Sequence, residues 1–228
     1  TFCATAQLKR MRNLNPDEIF DQVAMLNKQS IEHFDRPLSN IVFMGMGEPM
    51  MNYPNVMKAI AKITSTEGMG MSPRRITVST SGIPKMIIKM ADEHPRFKLA
   101  VSLHSAIEET RNEIMPFSTS FPLTDLQDSI QYWFSKTKER VTYEYVVWKD
   151  INDSAAEIDA LVRFCKKTPS KVNLIEYNPV GNDQFNQAND YAINQYVSAL
   201  EKSHIPVTIR RSRGKDIDAA CGQLANKS

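Results

Sequence analysis

Short segments rich in branched apolar residues recur along the chain, separated by longer stretches whose apolar residues fall three or four apart. The short segments predict strands over 41–44, 76–79, 99–103, 142–147, 172–177 and 207–210. They read as nearly continuous apolar runs, the pattern of parallel strands covered on both faces. Helical spacing links Ile19, Val23 and Leu26 behind Asn15-Pro16, where Pro16 suits the first helical position and Glu18 the first turn. It also links Val56, Ile60 and Ile63 within 54–66, and Leu126, Ile130 and Phe134 within 123–138. Ile158, Leu161, Val162 and Cys165 follow a cap at Asp153 or Ser154, and a last helix is expected over 188–203. Strand–helix alternation of this kind predicts an α/β fold with a parallel sheet, in one domain spanning residues 1–228. Periodicity leaves a doubly wound sheet and a (β/α) barrel both open. In either, ligands gather at the C-terminal ends of the strands.

Four of those expected ends carry polar groups. The first runs into Gly45-Met46-Gly47-Glu48-Pro49, where glycines allow a close backbone approach and Glu48 offers an acceptor for an amine or hydroxyl. The second ends in Ser79-Thr80-Ser81-Gly82, the third in Ser102-Leu103-His104, and the fifth in Tyr177-Asn178-Pro179. Taken singly, each reads as a turn, a cap or a structural histidine. Together they could touch one ligand.

Composition adds little to this. The 228 residues carry a net charge of +2, too mild to argue nucleic-acid binding alone. Basic residues cluster at Lys9, Arg10 and Arg12, at Arg74 and Arg75, and at Arg210, Arg211, Arg213 and Lys215. No apolar run approaches the roughly eighteen residues of a membrane span. The first residues resemble no signal peptide and lack an initiator Met, so the chain is expected to begin inside a longer protein. Cys3, Cys165 and Cys221 lie far apart, which argues against a disulfide framework and for a reducing cytoplasm. Cys221 has small neighbours, a following glycine and a basic lead-in, which would favour an accessible thiolate; a small buried residue at a turn is the alternative.

An ordered set of motifs goes further. Phe2-Cys3-Ala4-Thr5-Ala6, Arg12-Asn13-Leu14, Phe43 to Pro49, Arg74 to Gly82, Val101-Ser102-Leu103-His104, Val172 to Ile175, Tyr177-Asn178-Pro179 and Ala219 to Leu224 resemble the RlmN family, radical S-adenosylmethionine enzymes. These methylate carbon 2 of an adenine in large-subunit ribosomal RNA and, in some members, in transfer RNA. The resemblance implies a partial (β/α) barrel of six strands with its first strand ahead of residue 1. It implies a four-iron, four-sulfur cluster held by three cysteines, of which Cys3 matches the last and the others lie upstream, and S-adenosylmethionine held by Gly47, Glu48, Ser79, Ser102, Leu103, His104 and Asn178. Cys221 matches the family's methyl-carrying cysteine, and Cys165 matches no functional position.

The implied chemistry accounts for these parts. Carbon 2 of adenine is electron-poor and does not displace a sulfonium methyl. In the family, one S-adenosylmethionine methylates the cysteine thiolate; a second, cleaved reductively, gives a 5′-deoxyadenosyl radical that takes hydrogen from that methyl. The carbon radical adds to the base, and an upstream cysteine resolves the adduct. This chain by itself is therefore expected to be inactive. The implied partners are ribosomal RNA, transfer RNA and an electron donor such as flavodoxin, with a monomer expected. Two alternatives are the sister family Cfr, which methylates carbon 8, and a barrel that binds without chemistry. Pro49 and Ser81 favour carbon 2 over carbon 8. Glu176 departs from the apolar residue expected there.

Overall fold

The structure is a computed structural model, and it describes residues 3–8, 11–44, 46–93, 95–180, 185–212, 217, 220, 222 and 223. Six strands, β1 (Ile41–Phe43), β2 (Ile76–Thr80), β3 (Lys98–Ser102), β4 (Val141–Val146), β5 (Ser170–Ile175) and β6 (Val207–Arg210), form one sheet in that order. Every neighbouring pair is parallel. A doubly wound sheet reverses its strand order part-way. This one never does, and right-handed crossovers then place the helices on one side and curl the sheet toward a barrel. The fold is thus the partial barrel that the motifs imply. Six strands lie between Ile41 and Arg210, one more than the five that a six-stranded barrel beginning ahead of residue 1 would leave in this chain.

The helices are α1 (Pro16–Phe34), α2 (Tyr53–Thr64), α3 (Pro84–Asp92), α4 (Glu108–Ile114), α5 (Leu123–Thr137), α6 (Ala155–Lys166) and α7 (Asp190–Lys202). Asn15 opens α1 with a capping box, accepting from Glu18 N–H while the Glu18 carboxylate accepts from Asn15 N–H. Arg12 grips the same carboxylate at 2.6 Å. Of the two cap candidates for α6, Ser154 takes the role. The short α3 and α4 are additions to the helices expected from spacing; Pro84 starts the first, and only two residues of the second, Arg111 and Ile114, are buried.

The strands are not apolar on both faces. Ile76, Val78, Leu99, Val101, Val141, Tyr143, Tyr145, Val172 and Leu174 pack with Ile60, Ile63, Ile87, Leu126, Leu161 and Phe164 of the helices. Strand alternation sends their neighbours to the other, concave face. That set includes Thr77, Ser79, Ala100, Ser102, Thr142, Glu144, Lys171, Asn173, Thr208 and Arg210, most of them polar, beside the apolar Val42, Val146 and Ile175, the last two of which pack in a small cluster of their own with Trp148 and Tyr177. Parallel register aligns Ser102 with Glu144, Glu144 with Asn173 and Asn173 with Thr208 in one row. The alternation is visible in Val141-Thr142-Tyr143-Glu144-Tyr145-Val146, and it corrects the reading of these strands as nearly continuous apolar runs, although β4 is buried on both faces as that reading expects.

Cys165 is buried on α6 in the helix-side core, and burial pushes its thiol up to about 12. It is a packing residue, as its place on an apolar helical face predicts. Among the described residues no helix is long and apolar enough to cross a membrane.

Asn152, fully buried after β4, holds this end of the sheet. Its amide donates to the carbonyls of His104 (2.6 Å) and Val146 (2.8 Å), and its Oδ1 accepts from Trp148 N–H at 2.7 Å. Replacing it by Ala strands three buried groups. We expect Asn152→Ala to lose about 2–4 kcal/mol of unfolding free energy in urea titrations; a loss below about 0.5 kcal/mol would show that these bonds do not hold the sheet end.

Candidate functional site at the strand ends

Each seam between neighbouring strands carries a polar clasp, and most of the expected site residues belong to one. After β1, the Glu48 carboxylate accepts from Met50 N–H at 2.9 Å. Its other oxygen accepts from both the N–H and the hydroxyl of Ser81, after β2, each at 2.7 Å. A carboxylate has about four acceptor sites, so Glu48 keeps room for one more donor. The turn leading to it is set by positive φ at Met46 (56°) and Gly47 (147°), the latter disfavouring any side chain.

Arg111 closes the next seam. Its guanidinium donates to Ser81 O at 2.8 Å, to Ser102 O at 2.9 Å and to Leu103 O, tying the end of β2 to that of β3. Arg111 is 1% exposed, and burial lowers its pKa to about 10. A polar run Glu108-Glu109-Thr110-Arg111 reads as a solvated helix, so nothing local marked it. Gly82 offers the only hint: a Cβ there would meet Leu126 at 3.0 Å and Arg111 at 3.4 Å, so the turn packs tightly against both.

His104 and Asn152 join β3 to β4. His104 adopts φ 58° and accepts from Val146 N–H through Nδ1 at 3.1 Å, with its ring edge-on to Trp148. Asn173 spans β4 to β5, donating to Glu144 at 2.9 Å. Asn178 reaches from β5 toward the chain after β6, donating to the Ser212 hydroxyl at 2.8 Å. Glu176 assists by accepting from Ser212 N–H at 3.2 Å, which accounts for a carboxylate in a place where an apolar residue was expected.

The structure therefore brings Gly47, Glu48, Ser79, Ser102, Leu103, His104 and Asn178 to one end of the sheet. Ser79 and Ser102 lie on the concave face by alternation, Ser79 buried and Ser102 half-buried. Leu103 is fully buried with its side chain in the helix-side core. Cys3 is a half-buried free thiol. Cys221, Gly45, Arg213 and Lys215 lie outside the described residues, as does most of the segment 214–224 around Cys221. One contact bears on this cysteine's neighbourhood: Ala4 N–H donates to Gly222 O at 2.8 Å. The residue after Cys3 thus touches the residue that follows Cys221 in sequence. Arg210 is not a purely solvated charge, since its guanidinium lies 3.9 Å from Glu144 and 3.9 Å from the Met44 sulfur. A depression of about 450 Å³ at the opposite end of the strands, lined by Arg74, Arg96, Lys136 and others, shares no residue with this constellation.

A sequentially ordered parallel half-barrel with polar residues at its strand ends is the architecture of radical S-adenosylmethionine enzymes. A radical SAM methyltransferase from Sphaerobacter thermophilus superposes with a TM-score of 0.94 at 39% identity, over 98% of this chain and 65% of that one. Streptococcus suis SuiB, solved with S-adenosylmethionine, shares the fold alone, with a TM-score of 0.63 at 16% identity over 90% of this chain and 45% of its own. No family model matches the chain. A Christiangramia forsetii protein named probable dual-specificity RNA methyltransferase RlmN is 67% identical over 227 residues, covering 100% of this chain and 64% of the relative. A Flavobacterium psychrophilum protein of the same name is 66% identical, over 99% and 65%. The chain belongs to the RlmN family and spans just under two thirds of the length of these relatives.

The buried His104 makes a pH prediction. Burial, with Arg111 nearby, lowers its pKa to about 3. Its folded pKa lies below its unfolded value of about 6.5, so its contribution is fully present above pH 6.5 and lost as pH falls toward 3. The stability advantage of the wild type over His104→Gln should shrink by about 1.4 kcal/mol per pH unit in that window. Urea midpoints between pH 7 and 4 measure it, and a pH-independent difference would contradict the assignment.

Proposed function

We propose that the full-length protein is a radical S-adenosylmethionine methyltransferase that methylates carbon 2 of an adenine in ribosomal RNA and in transfer RNA, with Cys221 carrying the methyl group. The observation that carries this reading is the 2.8 Å bond between Ala4 and Gly222. It sets the motif of a proposed cluster ligand against the motif of the proposed methyl carrier, 218 positions apart in the chain. The names of the relatives support the RNA substrate and the reaction. Pro49 and Ser81 favour carbon 2, and Ser81 has a physical place, holding Glu48 through two bonds.

The residues fit the groups the reaction needs to different degrees. Among the described residues no three His, Cys, Asp or Glu side chains gather as a metal site. Cys3, a half-buried free thiol, fits as one thiolate of a four-iron cluster whose other ligands come from elsewhere in the full-length protein. The cluster, when bound, supplies the electron that cleaves S-adenosylmethionine. The strand-end rim fits S-adenosylmethionine better: Glu48 keeps an acceptor site for its ammonium, and Ser79 and Ser102 line the concave face. His104 and Leu103 shape the rim through their buried side chains, and Asn178 bounds it at β5. Cys221 acts as a thiolate, the form that accepts a methyl group at a useful rate. Arg210 and Arg211, both exposed, and the basic residues Arg213 and Lys215 that follow in sequence are suited to RNA phosphates. The protein works in the cytoplasm, with a small electron-transfer protein such as flavodoxin as reductant.

Full-length protein incubated with methyl-labelled S-adenosylmethionine should carry label on the peptide containing Cys221. Cys221→Ala should abolish both that label and RNA methylation, while Cys3→Ala should remove the brown cluster and leave RNA methylation undetectable. Label on Cys165, or normal turnover by Cys221→Ala, would refute the assignment.

A further inference from the structure

One carboxylate on the concave face is only half used by the fold. Glu144, near the end of β4, is 5% exposed. Its Oε1 accepts from Asn173 at 2.9 Å. Its Oε2 is buried without a hydrogen bond and faces the Arg210 guanidinium at 3.9 Å, outside hydrogen-bond reach. Burial raises its pKa, while Asn173, Arg210 and Lys171 oppose that shift. A buried acceptor without a donor costs stability, so the fold alone gives no reason to keep it.

Its location gives one. Register sets Glu144 directly beside Ser102 on β3 and Asn173 on β5. Glu48 stands at the far strand of the same rim, three strands from β4. Adjacent strands lie about 4.8 Å apart, so these carboxylates are on the order of 14 Å apart across the sheet. Along a curled sheet the direct distance is shorter, within the span between the ammonium and the ribose hydroxyls of one extended S-adenosylmethionine. Arg210 reaches from β6 toward Met44 at the end of β1, so it lies over this part of the concave face, and it is itself exposed.

We propose that Glu144 is a further cofactor-positioning residue, whose Oε2 receives the ribose hydroxyls of S-adenosylmethionine once Arg210 swings aside. The inference rests on the cofactor reading above. An ionised carboxylate only accepts, and a ribose diol presents two donors to it. Dinucleotide-binding sheets use the same pairing, an acidic side chain on the ribose hydroxyl. Asn173 holds the first oxygen and so orients the second. Arg210 opposes the rise in pKa that burial causes and can move because solvent reaches it.

The test uses full-length protein with its cluster reconstituted, titrated calorimetrically with S-adenosylhomocysteine and with its 2′-deoxyribose analogue. The wild type should prefer the ribose form by about tenfold or more, the size of one charge-assisted hydrogen bond. Glu144→Gln should erase that preference by weakening the ribose form alone, because its amide donates where an acceptor is needed. Glu144→Asp, which retracts the carboxylate, should shrink the preference and serves if the Gln variant unfolds. A wild type without the preference, or either variant keeping it in full, overturns the role of Glu144. Failure of both ligands to bind the wild type overturns the cofactor reading and this inference with it.

Discussion

The open ends of a parallel sheet must be satisfied, and here buried and half-buried polar side chains do it, seam by seam. Glu48 with Ser81, Arg111 across β2 and β3, His104 with Asn152, Asn173 with Glu144, and Asn178 with Glu176 and Ser212 each tie one strand end to the next. Buried polar groups that lose a partner cost more than the bond itself contributes. The rim is therefore a fixed set of positions, and the residues proposed to hold the cofactor are fixed by the same bonds. A ligand arriving there meets groups already oriented, which lowers the ordering cost of binding.

The same arrangement explains why the concave face is polar. The helix-side face carries the apolar burial that stabilises the sheet, through Ile76, Val78, Leu99, Val101, Tyr143, Tyr145 and Leu174. The opposite face carries only a small apolar cluster, with Val146 and Ile175, and leaves room for Ser79, Ser102, Glu144 and Asn173. Tyr145 and Tyr196 extend polar bonding behind the sheet, sharing Glu157 and the Asn152 carbonyl, so even the helix side is tethered to the rim. Site and scaffold meet at Asn152.

Much of this was legible in the sequence. The six strands and the principal helices followed from apolar spacing, and Pro16 with Glu18 marked the start of the first helix, where the structure adds the capping box with Asn15. Four strand ends with polar groups pointed to one ligand site without reference to any relative. What remained hidden depended on contacts distant in sequence. Arg111 looked solvated because its partners, Ser81 and Ser102, lie on other elements. Glu144 was hidden inside an apolar run because bulky Tyr143 and Tyr145 flank it in a strand buried on both faces. Glu176 had no role until Ser212 was placed beside it.

The central claim is that the C-terminal rim of this sheet, and not its opposite end, receives S-adenosylmethionine. Hydrogen exchange of the full-length, cluster-bearing protein with and without S-adenosylmethionine tests it most directly. The account predicts added amide protection at residues 47–50, 79–82, 102–105 and 177–178, with none at Arg74, Arg75, Lys98 or Lys171 at the strand starts. Protection at the strand starts, or an unchanged rim under saturating ligand, would contradict it.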